Sequence, residues 1–373
     1  MTRLGYQIPS FTYPDTGPAQ LFDAVSGQAQ EADIAGFDTV LVMDHFYQLP
    51  HLGRPEDFML ECYTLLAALG RETKNVRLSA LVTGNTYRNP AILAKTVTTL
   101  DIVSNGRAQL GIGAGWFELE HDAFGIEFGT FTDRFEKLEE ALQIVLPMLD
   151  GKKSTLAGQH YDVVEAMNSP SPIGHVPVMI GGGGERKTFR MMAQYADDAN
   201  IIADAADMPR KLEALAQRCA EVGRDRSTLV VTWQRTVCIA PTMEQARADL
   251  DAYLRLRGMN PDALSPESRA SIDARFILGD PDTVGERLAT DLALGLDGFT
   301  INMPASGHIP GRVTLLGETA AKVIARQPRR SARVTRLRAA LTPLSRSFLV
   351  PPTDSNCQSA DEESFIVRPC SVL

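Results

Sequence analysis

The sequence predicts a closed (β/α)8 barrel, an α/β fold, and three observations carry that expectation. Short apolar strands alternate with amphipathic helices from the first residues to about residue 325. Eight strands can be counted in that span, one for each strand–helix unit of such a barrel. No block of hairpin-linked strands interrupts the alternation, so the sheet is expected to be parallel. An open doubly wound sheet is the alternative architecture.

The strands read as Leu4–Ile8, Thr39–Met43, Arg77–Thr83, Arg107–Ile112, Val178–Ile180, Asn200–Ile202, Leu229–Trp233 with an extension toward Ile239, and Gly298–Asn302. Asn89 followed by Pro90 opens a helix with a side-chain cap and a proline at its first turn. Ile92, Leu93, Val97, Leu100 and Val103 then fall on one helical stripe, and Phe135, Leu138, Leu142, Val145, Leu146 and Leu149 repeat the pattern further on. Two stretches break the alternation and are expected to be loop insertions. One is 151–176, with a strand at His160–Val164; the other is the polar stretch 257–275, with Pro261 and Pro266. The barrel domain is expected over 1–326. Beyond it, 327–373 is rich in Arg, Ser and Pro and reads as a disordered tail. That tail ends in Cys370-Ser371-Val372-Leu373, which matches a prenylation box by chance composition.

The 373 residues carry a net charge of −9. Acidic balance argues against sequence-independent nucleic-acid binding, which needs clustered Lys and Arg. The cysteines at 62, 219, 238, 357 and 370 show no CxxC or other metal spacing, so no metal site is expected and a cytoplasmic location is. No apolar run reaches the roughly 18–20 residues of a membrane span.

In a barrel of this class the chemistry sits at the carboxyl ends of the strands. The second strand ends in Asp44-His45-Phe46, the third in Thr83-Gly84-Asn85, the fourth in Gly113-Ala114-Gly115-Trp116, and the fifth in Gly181-Gly182-Gly183-Gly184. His45 is suited to proton transfer near neutral pH, and Asp44 beside it to favouring its protonated form or orienting a cofactor. The plainer reading is a strand-end histidine satisfied by backbone, with Asp44 capping a loop. Gly111, Gly113 and Gly115 fail the dinucleotide fingerprint, because Trp116 stands where its third glycine belongs. Gly181–Gly184 lead from strand into helix and expose backbone N–H groups toward an anion, with Arg186 and Lys187 adding positive charge. No Gly-Lys-Ser/Thr follows, so this is not a Walker loop.

Together these residues resemble the bacterial luciferase-like superfamily of flavin and deazaflavin barrels, and more narrowly its actinobacterial coenzyme F420-dependent oxidoreductases. The motifs are Val42-Met43-Asp44-His45-Phe46, Arg88-Asn89-Pro90-Ala91, Asn105-Gly106-Arg107 through Gly115-Trp116-Phe117-Glu118-Leu119-Glu120-His121, Ile180 to Arg186, and Leu278-Gly279-Asp280-Pro281. The resemblance implies hydride transfer between F420 and a small organic substrate with a C=C, C=N or C=O bond. It implies Asp44 and His45 as the catalytic pair. Its cofactor-contacting set is Asp44, Ala80, Leu81, Val82, Thr83, Asn85, Gly113, Ala114, Gly115 and Gly181–Gly184. A bulge with a non-proline cis peptide is implied near Ala80-Leu81. Trp116 and Glu120 fall on the substrate pocket. Similar sugar-phosphate dehydrogenases carry a glutamate where Trp116 stands, which argues against glucose 6-phosphate oxidation and for an apolar or planar substrate. A separate cofactor-reducing enzyme and a homodimer are the expected partners. The alternatives are an FMN-dependent monooxygenase and a cofactor-free barrel with a binding role.

Overall fold

The structure is a computed structural model and describes residues 2–326. All eight expected barrel strands form: β1 (Arg3–Ile8), β2 (Thr39–Val42), β3 (Arg77–Ala80), β4 (Ala108–Gly113), β5 (Val178–Gly182), β6 (Asp198–Ile201), β7 (Val230–Ile239) and β8 (Gly298–Asn302). Each pairs in parallel with the next, and β8 returns to β1 through Arg3↔Gly298 to Gln7↔Asn302. The sheet closes on itself, which excludes the open alternative. The expected tail and its terminal Cys370 box lie outside the described residues.

Local chemistry explains the elements. Asn89 caps Pro90–Val103 by accepting from Ala91 N at 2.9 Å. Thr130 and Asp133 form a reciprocal capping box on Phe131–Leu149. Between Pro90–Val103 and β4, Asn105 and Gly106 both take positive φ, 59° and 82°. That turn sends Arg107 back under the barrel, where its guanidinium donates to Gly70 O and Val76 O at 2.7 and 2.6 Å.

The insertions are more ordered than expected. The strand foreseen at His160–Val164 is Asp162–Ala166, one arm of an antiparallel hairpin with Ser154–Ala157. The polar stretch holds the helix Pro266–Asp273, followed by Ile277–Gly279 pairing with the far end of β7.

The barrel interior is polar and hydrogen-bonded in its middle. Gln7 Oε1 accepts from Gln234 and Asn302, and the Asn200 amide donates to Thr232 and Thr300. Toward the amino ends of the strands lies a cavity of about 20 Å³, lined by Arg3, Asp38, Arg77, Gln109 and Asp198 among others. Asp198 accepts from Gln109 Nε2 at 2.6 Å, and burial pushes its carboxyl up to about 6. Leu41, Leu81 and Met179, with Val82 packed on them, form a separate apolar cluster.

Candidate functional site

The site is built where β3 breaks register. Leu78 and Ser79 pair with Ala108 and Gln109, and pairing resumes at Thr83 with Ile112. Three residues, Ala80 to Val82, therefore oppose two, Leu110 and Gly111, which is a bulge. The non-proline cis peptide lies within it at Leu81-Val82, one bond beyond the expected Ala80-Leu81. Gly111 makes the bulge possible, since a Cβ there would meet Ala80 O at 2.0 Å.

Val82 is half-buried between two glycines. A Cβ on Gly113 would come within 2.9 Å of Val82 Cγ2, and one on Gly181 within 2.8 Å of Val82 Cγ1. The valine side chain thus packs onto bare backbone on both sides, presenting an apolar surface at the strand ends. Beyond Gly181 the chain makes its glycine turn. Gly182 takes φ 140°, and a Cβ on Gly183 would lie 2.5 Å from Ile202 O. Lys211 Nζ donates to Gly183 O at 2.7 Å and pairs with Glu185 at 2.9 Å, holding the turn in place. Helix Lys187–Tyr195 starts from it, with Arg186 exposed.

His45 is half-buried. Its ring stands edge-on to Trp116 and to Phe117, both at 5.8 Å between centroids. Nδ1 lies 2.9 Å from Glu120 Oε2. Trp116 is 54% exposed and stacks on Phe117 at 5.2 Å. The arm that carries it is clamped twice. Arg134 donates to Gly115 O and Gly129 O, and the His121 ring sits between Thr86 Oγ1 and Phe117 O at 2.7 and 2.9 Å. Both His121 nitrogens are engaged, so this ring serves the arm's structure.

Several foreseen residues stand elsewhere. Asp44 is adjacent to His45 in sequence but does not share its exposure: its side chain is 1% exposed. Arg88 grips it twice, at 2.6 and 2.9 Å, and Gly84 N donates to it at 3.1 Å. Burial pushes the Asp44 carboxyl up, and the bonds from Arg88 and Gly84 pull it back. Burial likewise opposes the Arg88 charge, but Asp44 and Glu61 hold that guanidinium above its ordinary value. Asp44 thus braces the strand end instead of facing a ligand, because both its oxygens are consumed. Glu120 is corrected in the same way: at 0% exposure it is no pocket wall. Thr83 is buried against the Tyr63 hydroxyl at 2.6 Å, Ala80 is buried in the core, and buried Asn85 faces the Tyr161 hydroxyl. The reachable members of the expected set are His45, Val82, Ala114, Gly115, Trp116 and Gly181–Gly184. Arg88, Tyr87 and Lys211 were not foreseen as site residues. Arg88 appeared only within a quoted motif, and nothing in its spacing marks Asp44, 44 positions away, as its partner.

Among the described residues no group of His, Cys, Asp and Glu could hold a metal ion, and no helix is long and apolar enough to cross a membrane.

A barrel of this topology with its reachable groups at the carboxyl ends of the strands defines a class of ligand-binding α/β barrels. The family model described as luciferase-like monooxygenase matches residues 2–298, and the chain belongs to that family. It is 28% identical over 298 residues to an F420-dependent glucose-6-phosphate dehydrogenase of Amycolatopsis mediterranei, covering 79% of this chain and 82% of the relative. It is 29% identical over 252 residues to a pyrimidine monooxygenase of Allorhizobium ampelinum, covering 62% and 66%. The fold matches a solved F420-dependent secondary alcohol dehydrogenase in complex with an F420-acetone adduct, with a TM-score of 0.70 and 21% identity. That match covers 86% of this chain and 99% of the other.

Proposed function

We propose that the chain is a coenzyme F420-dependent oxidoreductase that moves a hydride between the deazaflavin and a small organic substrate. The observation that carries this reading is that the carboxyl ends of the strands carry an apolar bulge at Val82, a histidine and a glycine turn at a helix start. The residues fit a planar ring with an anionic arm. Val82 would lie under the ring, seated against Gly113 and Gly181, where any Cβ would push its side chain out of place. The N–H groups of Gly182–Gly184, the start of helix Lys187–Tyr195, Arg186 and Lys187 would hold the arm. When bound, the coenzyme supplies the hydride-donating or hydride-accepting carbon.

The chain's own groups do the rest. His45 Nε2 carries the proton that accompanies the hydride at a C=C, C=N or C=O bond. Trp116 and Phe117 wall the mouth with apolar surface, favouring planar substrates and excluding water. Asp44, Arg88 and Glu61 hold the strand end that carries His45 in place. A separate enzyme restores the spent coenzyme. Both must share a compartment, and we assign them to the cytoplasm. We further propose that the chain works as a homodimer.

Titration of the purified protein with reduced F420 and, separately, reduced FMN tests this. Tight binding of F420 alone supports the reading. FMN alone would make the chain a monooxygenase like the pyrimidine-acting relative, and binding of neither would make it a cofactor-free barrel.

A further inference from the structure

Glu120 sits on helix Glu118–Phe124 with its carboxylate fully buried. Four donors converge on it. Oε1 accepts from Phe46 N at 2.5 Å and from Tyr47 N at 2.8 Å. Oε2 accepts from the Tyr87 hydroxyl and faces His45 Nδ1 at 2.9 Å. One carboxylate thus fixes the imidazole and also the two peptide groups that follow it. Burial alone would raise the Glu120 carboxyl, but the bonds from His45, Tyr87 and Tyr47 outweigh it and hold the group below its ordinary value. An ionised carboxylate only accepts hydrogen bonds, so Nδ1 must carry the hydrogen between them. The opposite nitrogen, Nε2, has no protein partner among the described residues.

We propose that Glu120 is a positioning residue that locks the proton on His45 Nδ1, leaving Nε2 as the one imidazole atom that exchanges a proton with substrate. Its use in turnover rests on the hydride-transfer reading above; the tautomer itself does not. In the direction of oxidation, the substrate's O–H or N–H bond breaks, its proton goes to Nε2, and the hydride leaves carbon for the coenzyme. In reduction the same proton returns from the imidazolium. Glu120 changes neither charge nor protonation in either direction. Tyr87 shares Oε2 and keeps that oxygen turned to His45.

The substitution Glu120→Gln inverts this arrangement. The amide oxygen must stay on Phe46 N and Tyr47 N, so its NH2 faces Nδ1. Nδ1 must then accept, and the proton moves to Nε2. The tautomer is read by 15N NMR on cofactor-free, histidine-labelled protein, with the His45 signals assigned by their loss in His45→Gln. The wild type is expected to show Nδ1–H and Glu120→Gln to show Nε2–H. Tyr87→Phe is expected to retain Nδ1–H. Turnover in Glu120→Gln should fall by about 10²-fold or more in kcat, as expected for a base held in the wrong tautomer, with reduced F420 binding within about threefold. An Nε2–H wild type overturns the proposal whether or not the variant folds. So does a Glu120→Gln protein that keeps Nδ1–H. A wild type that binds no F420 sinks the functional reading, while the tautomer still decides this one.

Discussion

Asp198 lies in the barrel floor, at the opposite end of the strands from the groups proposed to meet a ligand, and its replacement by Asn should stabilise the protein at neutral pH. Burial is the first cause of its raised value, with Arg3 and Arg77 opposing and Asp197 and Asp38 reinforcing. Its carboxyl rises from 3.8 to about 6 on folding. That gap of about two pH units corresponds to about 3 kcal/mol at about 1.4 kcal/mol per unit. A carboxyl with the higher value in the folded state binds its proton more tightly there. Folding is therefore penalised as pH rises through roughly 4 to 6 and pays the full cost above that window. Asn keeps an oxygen for Gln109 Nε2 and carries no charge. Urea unfolding of wild type and Asp198→Asn at a series of pH values should give nearly equal stabilities near pH 4. By pH 7 the variant should lead by up to about 3 kcal/mol. A difference that stays flat across that range, or a variant that loses stability at pH 7, would refute the assignment of a buried, proton-hungry carboxyl.

Three further outcomes are expected. Arg88→Ala strands the Asp44 carboxylate without its partner and should destabilise the fold by about 3–5 kcal/mol, read by chemical denaturation. Gly181→Ala places a methyl 2.8 Å from Val82 Cγ1 and should cost about 1–3 kcal/mol in stability while weakening reduced F420 binding, read by fluorescence titration. Wild-type protein with oxidised F420 and glucose 6-phosphate should show no coenzyme reduction, because the exposed Trp116 ring offers a sugar phosphate an apolar wall in place of a carboxylate; dehydrogenase-like turnover would reverse that conclusion.

The barrel was legible because its signals are local. Each strand is a short apolar run closed by turn residues, and helices carry their stripes and sometimes a readable cap, as Asn89 does. Glycines at strand ends also announce themselves, though their reasons proved mixed. Gly111 and Gly183 are needed by neighbouring backbone, and Gly113 and Gly181 by Val82. Partners set by closure were not legible. Asp44 with Arg88 and His45 with Glu120 meet only because β2, β3 and β4 lie side by side, across 44 and 75 positions. Adjacency in sequence therefore suggested an Asp44-His45 pair that the fold does not make. The polar middle of the barrel escaped notice for a related reason, since Gln234 meets Gln7 and Asn200 meets Thr300 across strands far apart in the chain.

A crystal structure of the complex with oxidised F420 bears most directly on the central claim. The deazaflavin ring should rest over Val82 beside His45 and Trp116, with its phosphate on the N–H groups of Gly182–Gly184. A coenzyme bound outside the mouth, or with ring and phosphate exchanged end for end, would contradict it.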